Sequence, residues 1–181
     1  PGKKGQKRND TNIRVFLDKE DLFFDKWDLL RYQSVDDRLI PSNIYDSLIS
    51  FIPRLKNIEY AKLYPEQQTG DGSIEHPFQM PFYEYSDVVH EFEKEVYKFE
   101  KDHPEFQLNT YNNIFLMNGL RWDEEVMTKA DVSNANGQVV MALILGAIRA
   151  ERFCDGTLKD FLELGCIEKW LLRLQEIASK I

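Results

Sequence analysis

Residues 138–153 read QVVMALILGAIRAERF, and this stretch decides the fold class. Apolar side chains fill nearly every position from Val139 to Ile148, so they surround a helix on all faces instead of forming one stripe. Such a helix is stable in water only when other elements cover most of its surface. We therefore predict a mainly α-helical fold in which residues 138–153 form a buried central helix.

The sequence after this stretch predicts a C-terminal helical hairpin. Gly156 stops the central helix, and Gly165 ends a two-turn helix over residues 157–164. Residues 167–179 then form the last helix, because apolar side chains recur there at helical spacing. The side chains that share this face are Ile167, Trp170, Leu171, Leu174 and Ile177.

The sequence before the central stretch contains a further amphipathic helix over residues 87–102 and an irregular segment with several Pro and Gly residues. In that irregular segment we predict a small β-hairpin near residues 58–83. The whole pattern predicts six or seven helices in a single helical domain over residues 13–181. Residues 1–12 are polar and read as a basic, flexible N-terminal extension.

Charge is unevenly distributed over the 181 residues, whose formal net charge is −8. Residues 1–9 contain four basic and no acidic side chains, whereas residues 10–181 contain 19 basic and 31 acidic side chains, a formal charge of −12. An acidic body repels phosphate backbones, which disfavours nucleic-acid binding by residues 10–181. Residues 1–9 are either a solvated terminus or a contact point for nucleic acid or an acidic partner.

The apolar runs, the cysteines and the histidines limit the cellular locations and the chemistry that we expect of this protein. The longest apolar run is about half of the roughly 20 residues that a membrane-spanning helix needs, and no apolar stretch opens the chain, so we expect no membrane association and no secretion. Cys154 and Cys166 form no CxxC pair and read as reduced thiols of a cytoplasmic protein. Because the three histidines lack ligand spacing, we predict no metal site and no cofactor.

The stretch Arg149-Ala150-Glu151-Arg152-Phe153-Cys154-Asp155-Gly156 contains the pattern Arg-x-Glu-Arg-Phe-x-Asp-Gly, here called the signature. With the Gly165 turn and the last helix, the signature resembles the C-terminal part of an uncharacterised bacterial domain family, one of the domains of unknown function. The resemblance covers about residues 44–179. It implies a small, mainly helical protein of bacterial or phage origin, and it implies no activity.

The charged residues of the signature allow two interpretations. In the first they are architectural: arginines suit the negative end of a helix, and Asp155 with Gly156 suits a tight turn. In the second they form a binding site for an anionic ligand, in which Glu151 or Asp155 also acts as an acid or base. The residues of that site are Arg149, Glu151, Arg152 and Asp155.

A group of aromatic residues and one methionine lies in a loop-like segment between prolines. Such side chains are costly when exposed to water, so they either plug the core or form a surface for a protein partner or a second copy. These residues are Phe78, Met80, Phe82, Tyr83 and Tyr85.

No recognisable catalytic set of residues appears in the sequence, which favours a protein that is not an enzyme. The leading hypothesis is a cytoplasmic protein-interaction or regulatory module, such as one encoded by a phage or another mobile element, whose partner is another protein or its own copy. The alternative hypothesis is a small-molecule binding protein or small enzyme that uses the Arg149–Asp155 cluster for an anionic ligand.

Overall fold

Helices dominate the computed structural model, which describes residues 32–65 and 69–180, and Gln33–Ile181 form one compact unit. In chain order the helices are α1 (Asp46–Ile49), α2 (Phe51–Arg54), α3 (Asp87–Asp102), α4 (Tyr111–Met117), α5 (Glu124–Thr128), α6 (Gly137–Ala150), α7 (Thr157–Glu163) and α8 (Cys166–Lys180). Short 3-10 helices cover Asp37–Leu39, Ser42–Tyr45, Pro104–Phe106 and Leu108–Thr110.

The mainly helical fold class is confirmed. Ser50 separates α1 from α2 and itself has right-handed helical dihedral angles, so these two helices continue one another. The described residues thus contain seven α-helical segments. The predicted extension over residues 1–12 and the start of the domain at residue 13 lie outside the described residues.

The predicted central helix is α6, and every residue from Gly137 to Ile148 is buried. Helices α3, α4, α7 and α8 all contact it. The helix ends at Ala150, three residues before the predicted end. The backbone tightens there, because the amide of Phe153 donates to the carbonyl of Ala150 at 2.9 Å, an i to i−3 bond typical of a closing turn.

The N-terminus of α6 binds the segment over residues 33–37. Asn136 accepts a hydrogen bond from the amide of Val139 at 3.0 Å, and the Asp37 carboxylate accepts one from the amide of Gly137 at 2.9 Å. The fully buried side chain of Gln138 accepts from the amide of Val35 at 3.2 Å and donates to the carbonyls of Gln33 and Phe106 at 3.0 and 2.9 Å. Asn136 and Asp37 thereby satisfy two N–H groups that the buried helix end leaves open, and Gln138 satisfies backbone groups of the segments that pack against it.

The C-terminal helical hairpin is present as α7 and α8. Gly165 lies between them with a φ of +71°, a conformation that glycine adopts without steric cost. Trp170, Leu171 and Leu174 of α8 are fully buried. They form the predicted apolar face, which packs against α6 and α7.

The predicted β-hairpin consists of β1 (Ala61–Tyr64) and β2 (Phe82–Tyr85), which pair antiparallel. Ala61 lies opposite Tyr85, and Tyr64 lies opposite Phe82. Alternation along the strands places Ala61 and Tyr85 in the core and leaves Tyr64 and Phe82 exposed. In the described part of the chain, no helix is long and apolar enough to cross a membrane.

Replacement of Asp37 by Asn should change how stability depends on pH. Burial raises the pKa of Asp37 above its ordinary 3.8, against the opposing effect of the Gly137 amide, so folding favours the protonated carboxyl. The stability that Asp37 contributes is therefore complete below 3.8 and is lost as pH rises through the raised value. Asn keeps the acceptor and cannot ionise, so the unfolding free energy of Asp37→Asn relative to wild type should increase over this interval in denaturant titrations.

Asp36→Asn is the matched control, because the neighbouring carboxyl has the opposite shift. Hydrogen bonds from Arg38 lower the pKa of Asp36 to about 2, so its contribution is lost as pH falls from 3.8 towards that value. A relative free energy for Asp37→Asn that stays flat or decreases with rising pH would contradict the assignment of Asp37.

Candidate functional site

The carboxylate of Glu151 caps α7. Its two oxygens accept hydrogen bonds from the amides of Gly156 and Leu158, each at 2.9 Å. These amides belong to the first turn of α7, where backbone N–H groups lack helical partners and where negative charge is favourable. Glu151 therefore joins the end of α6 to the start of α7.

Asp155 binds the β-hairpin. Its Oδ2 accepts a hydrogen bond from the amide of Tyr83 at 3.0 Å. Tyr85, on the same strand, accepts a hydrogen bond from the amide of Lys159 at 3.0 Å and donates to Glu151. Burial and this bond to Glu151 raise the pKa of Tyr85 above its ordinary value. The corner between α6 and α7 is thus the place where β2 is attached to the helices.

The two arginines of the signature both contact α3. Arg149 donates to the Glu100 carboxylate at 2.7 and 3.0 Å, and its guanidinium lies 5.2 Å from the centre of the Tyr111 ring. Arg152 donates to the hydroxyl of Tyr97 at 2.8 Å. Both members of the Arg149–Glu100 pair are largely buried, which makes this contact a strong link between α6 and α3.

The four charged residues therefore lie close in sequence but act in different directions. The arginines contact α3, Glu151 contacts α7, and Asp155 contacts β2. Glu151 and Asp155, four residues apart, would share one face of a helix that continued to residue 155, but α6 ends before both. Each side chain has a partner inside the fold, and binding of an anionic ligand by this cluster stays a prediction.

The predicted interaction residues divide into two groups. Phe78, Met80 and Phe82 are exposed, with 54%, 80% and 43% of their surface accessible. Tyr83 is half-buried beneath the corner, and Tyr85 is buried. Tyr85 therefore plugs the core and Tyr83 is partly covered, whereas the first three side chains face water.

Three further apolar side chains of the hairpin region are exposed, although no sequence pattern singles them out; one is Leu63 of β1, which is 42% exposed. Ile74, in the connection between the strands, is fully exposed, and Tyr64 of β1 is half exposed with its ring centre 5.5 Å from that of Phe82. We call the set Tyr64, Ile74, Phe78, Met80 and Phe82 the hairpin surface. Every described residue from 69 to 82 is exposed.

The hairpin surface lies in a strongly acidic part of the chain. Residues 63–93 contain seven Asp and Glu residues and no Lys or Arg. Asp71, Glu75, Glu84 and Asp87 are all exposed. The absence of basic residues over this length is the sequence signal that could have marked the region.

The histidines and cysteines have contacts that are common in folded proteins. His90 and His103 each contact a neighbouring glutamate at 3.0 Å, and the described residues contain no group of three or more His, Cys, Asp or Glu side chains placed to hold a metal ion. Cys166 is buried, which raises the pKa of its thiol, whereas Cys154 is exposed.

Comparison with known proteins gives a family and no activity. Residues 40–180 match a family model described as "Family of unknown function (DUF6508)". The match confirms the resemblance to an uncharacterised domain, while the bacterial or phage origin that the resemblance implied stays a prediction. No curated protein and no solved structure matches the chain.

Replacement of Gly156 by Ala should destabilise the corner. Gly156 has a φ of +91°, and a Cβ atom there would lie 2.7 Å from Cε2 of the Tyr83 ring. The backbone conformation alone costs about 1–3 kcal/mol for a residue other than glycine. The close contact adds to this cost, and thermal or denaturant unfolding measures the sum.

Gly165→Ala separates the two contributions. Gly165 also has a positive φ, +71°, but nothing lies within 4 Å of its added Cβ. We expect Gly156→Ala to lose more stability than Gly165→Ala, and Tyr83→Leu to reduce that excess in a double-mutant cycle. Equal losses in the two alanine variants would contradict the role of the Tyr83 contact.

Proposed function

The chain belongs to the DUF6508 family, whose description assigns no activity, and we propose that it acts by binding another protein through the hairpin surface. The observation that carries this proposal is the exposure of five large apolar side chains on one β-hairpin. Soluble proteins rarely leave such a group uncovered unless a partner covers it.

The composition of the hairpin surface suits a protein interface. Aromatic residues and Met are enriched in the buried centres of interfaces, where a few such side chains supply most of the binding free energy. Tyr64 and Phe82 are held next to each other by strand pairing, so this part of the surface is already ordered before binding. Tyr83 and Tyr85 anchor the same strand to the helical core.

The surrounding charge favours a basic partner over a second copy. Exposed carboxylates of Asp71, Glu75 and Glu84 lie on the same hairpin region, no Lys or Arg occurs from Leu63 to Glu93, and the one lysine of β1, Lys62, lies opposite Glu84. Two copies that met through this region would bring like charges together, which is unfavourable. The partner we propose presents an apolar centre with Lys or Arg residues around it.

This surface also explains why we prefer binding of a protein over binding of an anionic small molecule. The signature arginines are engaged by Glu100 and Tyr97, and the signature carboxylates are engaged by backbone amides. The apolar side chains of the hairpin surface have no comparable coverage in the described residues.

A pair of triple variants tests the proposal. Phe78, Met80 and Phe82 are replaced by Ser in the first variant, and Leu39, Leu164 and Leu172, which are also exposed, are replaced by Ser in the control. Both variants should keep their unfolding free energy within about 0.5 kcal/mol per substitution, because exposed side chains contribute little to folding. Random linear peptides selected from a displayed library on the wild-type protein are the probe.

Selected peptides should combine large apolar residues with Lys or Arg. They should bind the Phe78/Met80/Phe82 variant at least about tenfold more weakly than wild type and bind the control variant normally, with affinity that falls as salt increases. Peptides without positive charge, or with equal affinity for both variants, would contradict the proposal. Sedimentation that shows a dimer of the wild type and a monomer of the first variant would assign the surface to a second copy instead.

A further inference from the structure

Phe153 is the signature residue whose side chain does not join other elements to the corner between α6 and α7. Its neighbours Glu151 and Asp155 bind backbone amides, and Arg149 and Arg152 contact α3, whereas 79% of the Phe153 side chain is exposed. Its ring lies 5.3 Å from the ring of Trp122 at an interplanar angle of 79°. Two aromatic rings thus form perpendicular walls at the surface.

The two rings help to line an open cavity of about 220 Å³. Met127 and Phe161, both buried, line its inner side. A dry cavity of about 150 Å³ is enough to hold benzene, so this one accommodates a compact organic ligand or a single large side chain. Its size is below that of the pockets that take drug-sized molecules.

Trp122 is fixed in position before any ligand arrives. Its indole N–H donates to the carbonyl of Gly146 at 3.0 Å, which ties the ring to the central helix. The ring also makes an edge contact with Tyr111 at 5.6 Å between centres. A wall that needs no ordering on binding lowers the entropic cost of association.

The charge at the cavity is negative. Asp123 and Glu124 contribute to its lining, and none of the described residues that line it is Lys or Arg. The Asp123 side chain accepts a hydrogen bond from the amide of Val126 at 3.0 Å, so its carboxylate is held at the start of α5. Neither an anion nor a neutral apolar molecule would gain attraction from these two acidic residues, whereas a cation would.

We propose that this cavity binds a compact organic ammonium ion with a methylated nitrogen. Faces of Trp and Phe attract such cations through the negative potential of their rings, and Trp does so most strongly. The acidic residues Asp123 and Glu124 beside the cavity add attraction of the same sign, and the apolar walls accept the methyl groups. This site is separate from the hairpin surface and does not depend on the proposed protein partner.

Choline and its uncharged isostere 3,3-dimethylbutan-1-ol are the probes, because they have nearly the same shape and differ in charge. Binding is read from the rate at which a thiol reagent alkylates Cys154, an exposed residue that lines the cavity, with ionic strength held constant by NaCl. Buried Cys166 reports any general opening of the fold in the same experiment. Choline should slow alkylation of Cys154, and the neutral isostere should require at least about threefold higher concentration for the same effect.

Two variants locate the site. Phe153→Leu keeps an apolar side chain but removes a ring, and Glu124→Gln removes a charge; each should weaken choline binding at least about threefold. Glu125→Gln is the control, because Glu125 pairs with Lys129 and does not line the cavity. The Phe78/Met80/Phe82 variant should bind choline as wild type does.

Three results would overturn the proposal. Equal protection by choline and the neutral isostere would make the cavity a plain apolar pocket. Absence of protection by choline would remove the cation site altogether. Protection that persists unchanged in both Phe153→Leu and Glu124→Gln would place the bound cation elsewhere.

Discussion

The burial of α6 on all sides is the constraint on which the rest of the structure depends. Twelve consecutive residues of this helix, Gly137 to Ile148, are removed from water. Other elements must therefore surround it, and the open backbone groups at its ends must find partners among side chains, since water does not reach a buried terminus freely. At the N-terminus those partners are Asn136 and Asp37, and the Gln138 side chain adds hydrogen bonds to the backbone of Gln33 and Val35, so residues 33–37 lie against the helix.

The burial of α6 also explains the charged residues of the signature at its C-terminal end. Within eight residues the chain must leave α6, turn and begin α7, while α3 and β2 pack against the same place. Each charged residue meets one of these needs: Arg149 binds α3, Glu151 caps α7, and Asp155 holds β2. A dense group of charges in a sequence resembles a ligand site, but the structure shows that such a group also arises where several elements meet at the end of a buried helix.

How far the sequence predicts this structure depends on whether the signal is local. The all-apolar run of α6, the helical spacing of α8 and the turn glycine Gly165 are local patterns, and each leads to the observed element. The predicted end of α6 at residue 153 lies three residues too far, because helix-compatible residues continue to Phe153 while its backbone is already in a turn. The burial of Tyr85 depends on strand register, that is, on its pairing with Ala61, which lies 24 residues earlier in the chain. The pairing of Trp122 with Phe153 joins segments thirty-one residues apart, and no periodicity in the sequence indicates it.

In both proposals, carboxylates beside exposed apolar side chains select the ligand by the sign of its charge. Apolar contact supplies attraction without regard to charge, so the carboxylates nearby decide which apolar surfaces approach. Around the hairpin surface they discourage a second copy, and at the Trp122–Phe153 cavity they discourage anions and leave neutral compounds without added attraction. The formal charge of −12 on residues 10–181 extends this preference beyond either site, because long-range attraction raises the rate at which positively charged molecules arrive. Both proposals thus follow from one property of the sequence: carboxylates lie beside apolar groups that the fold leaves uncovered.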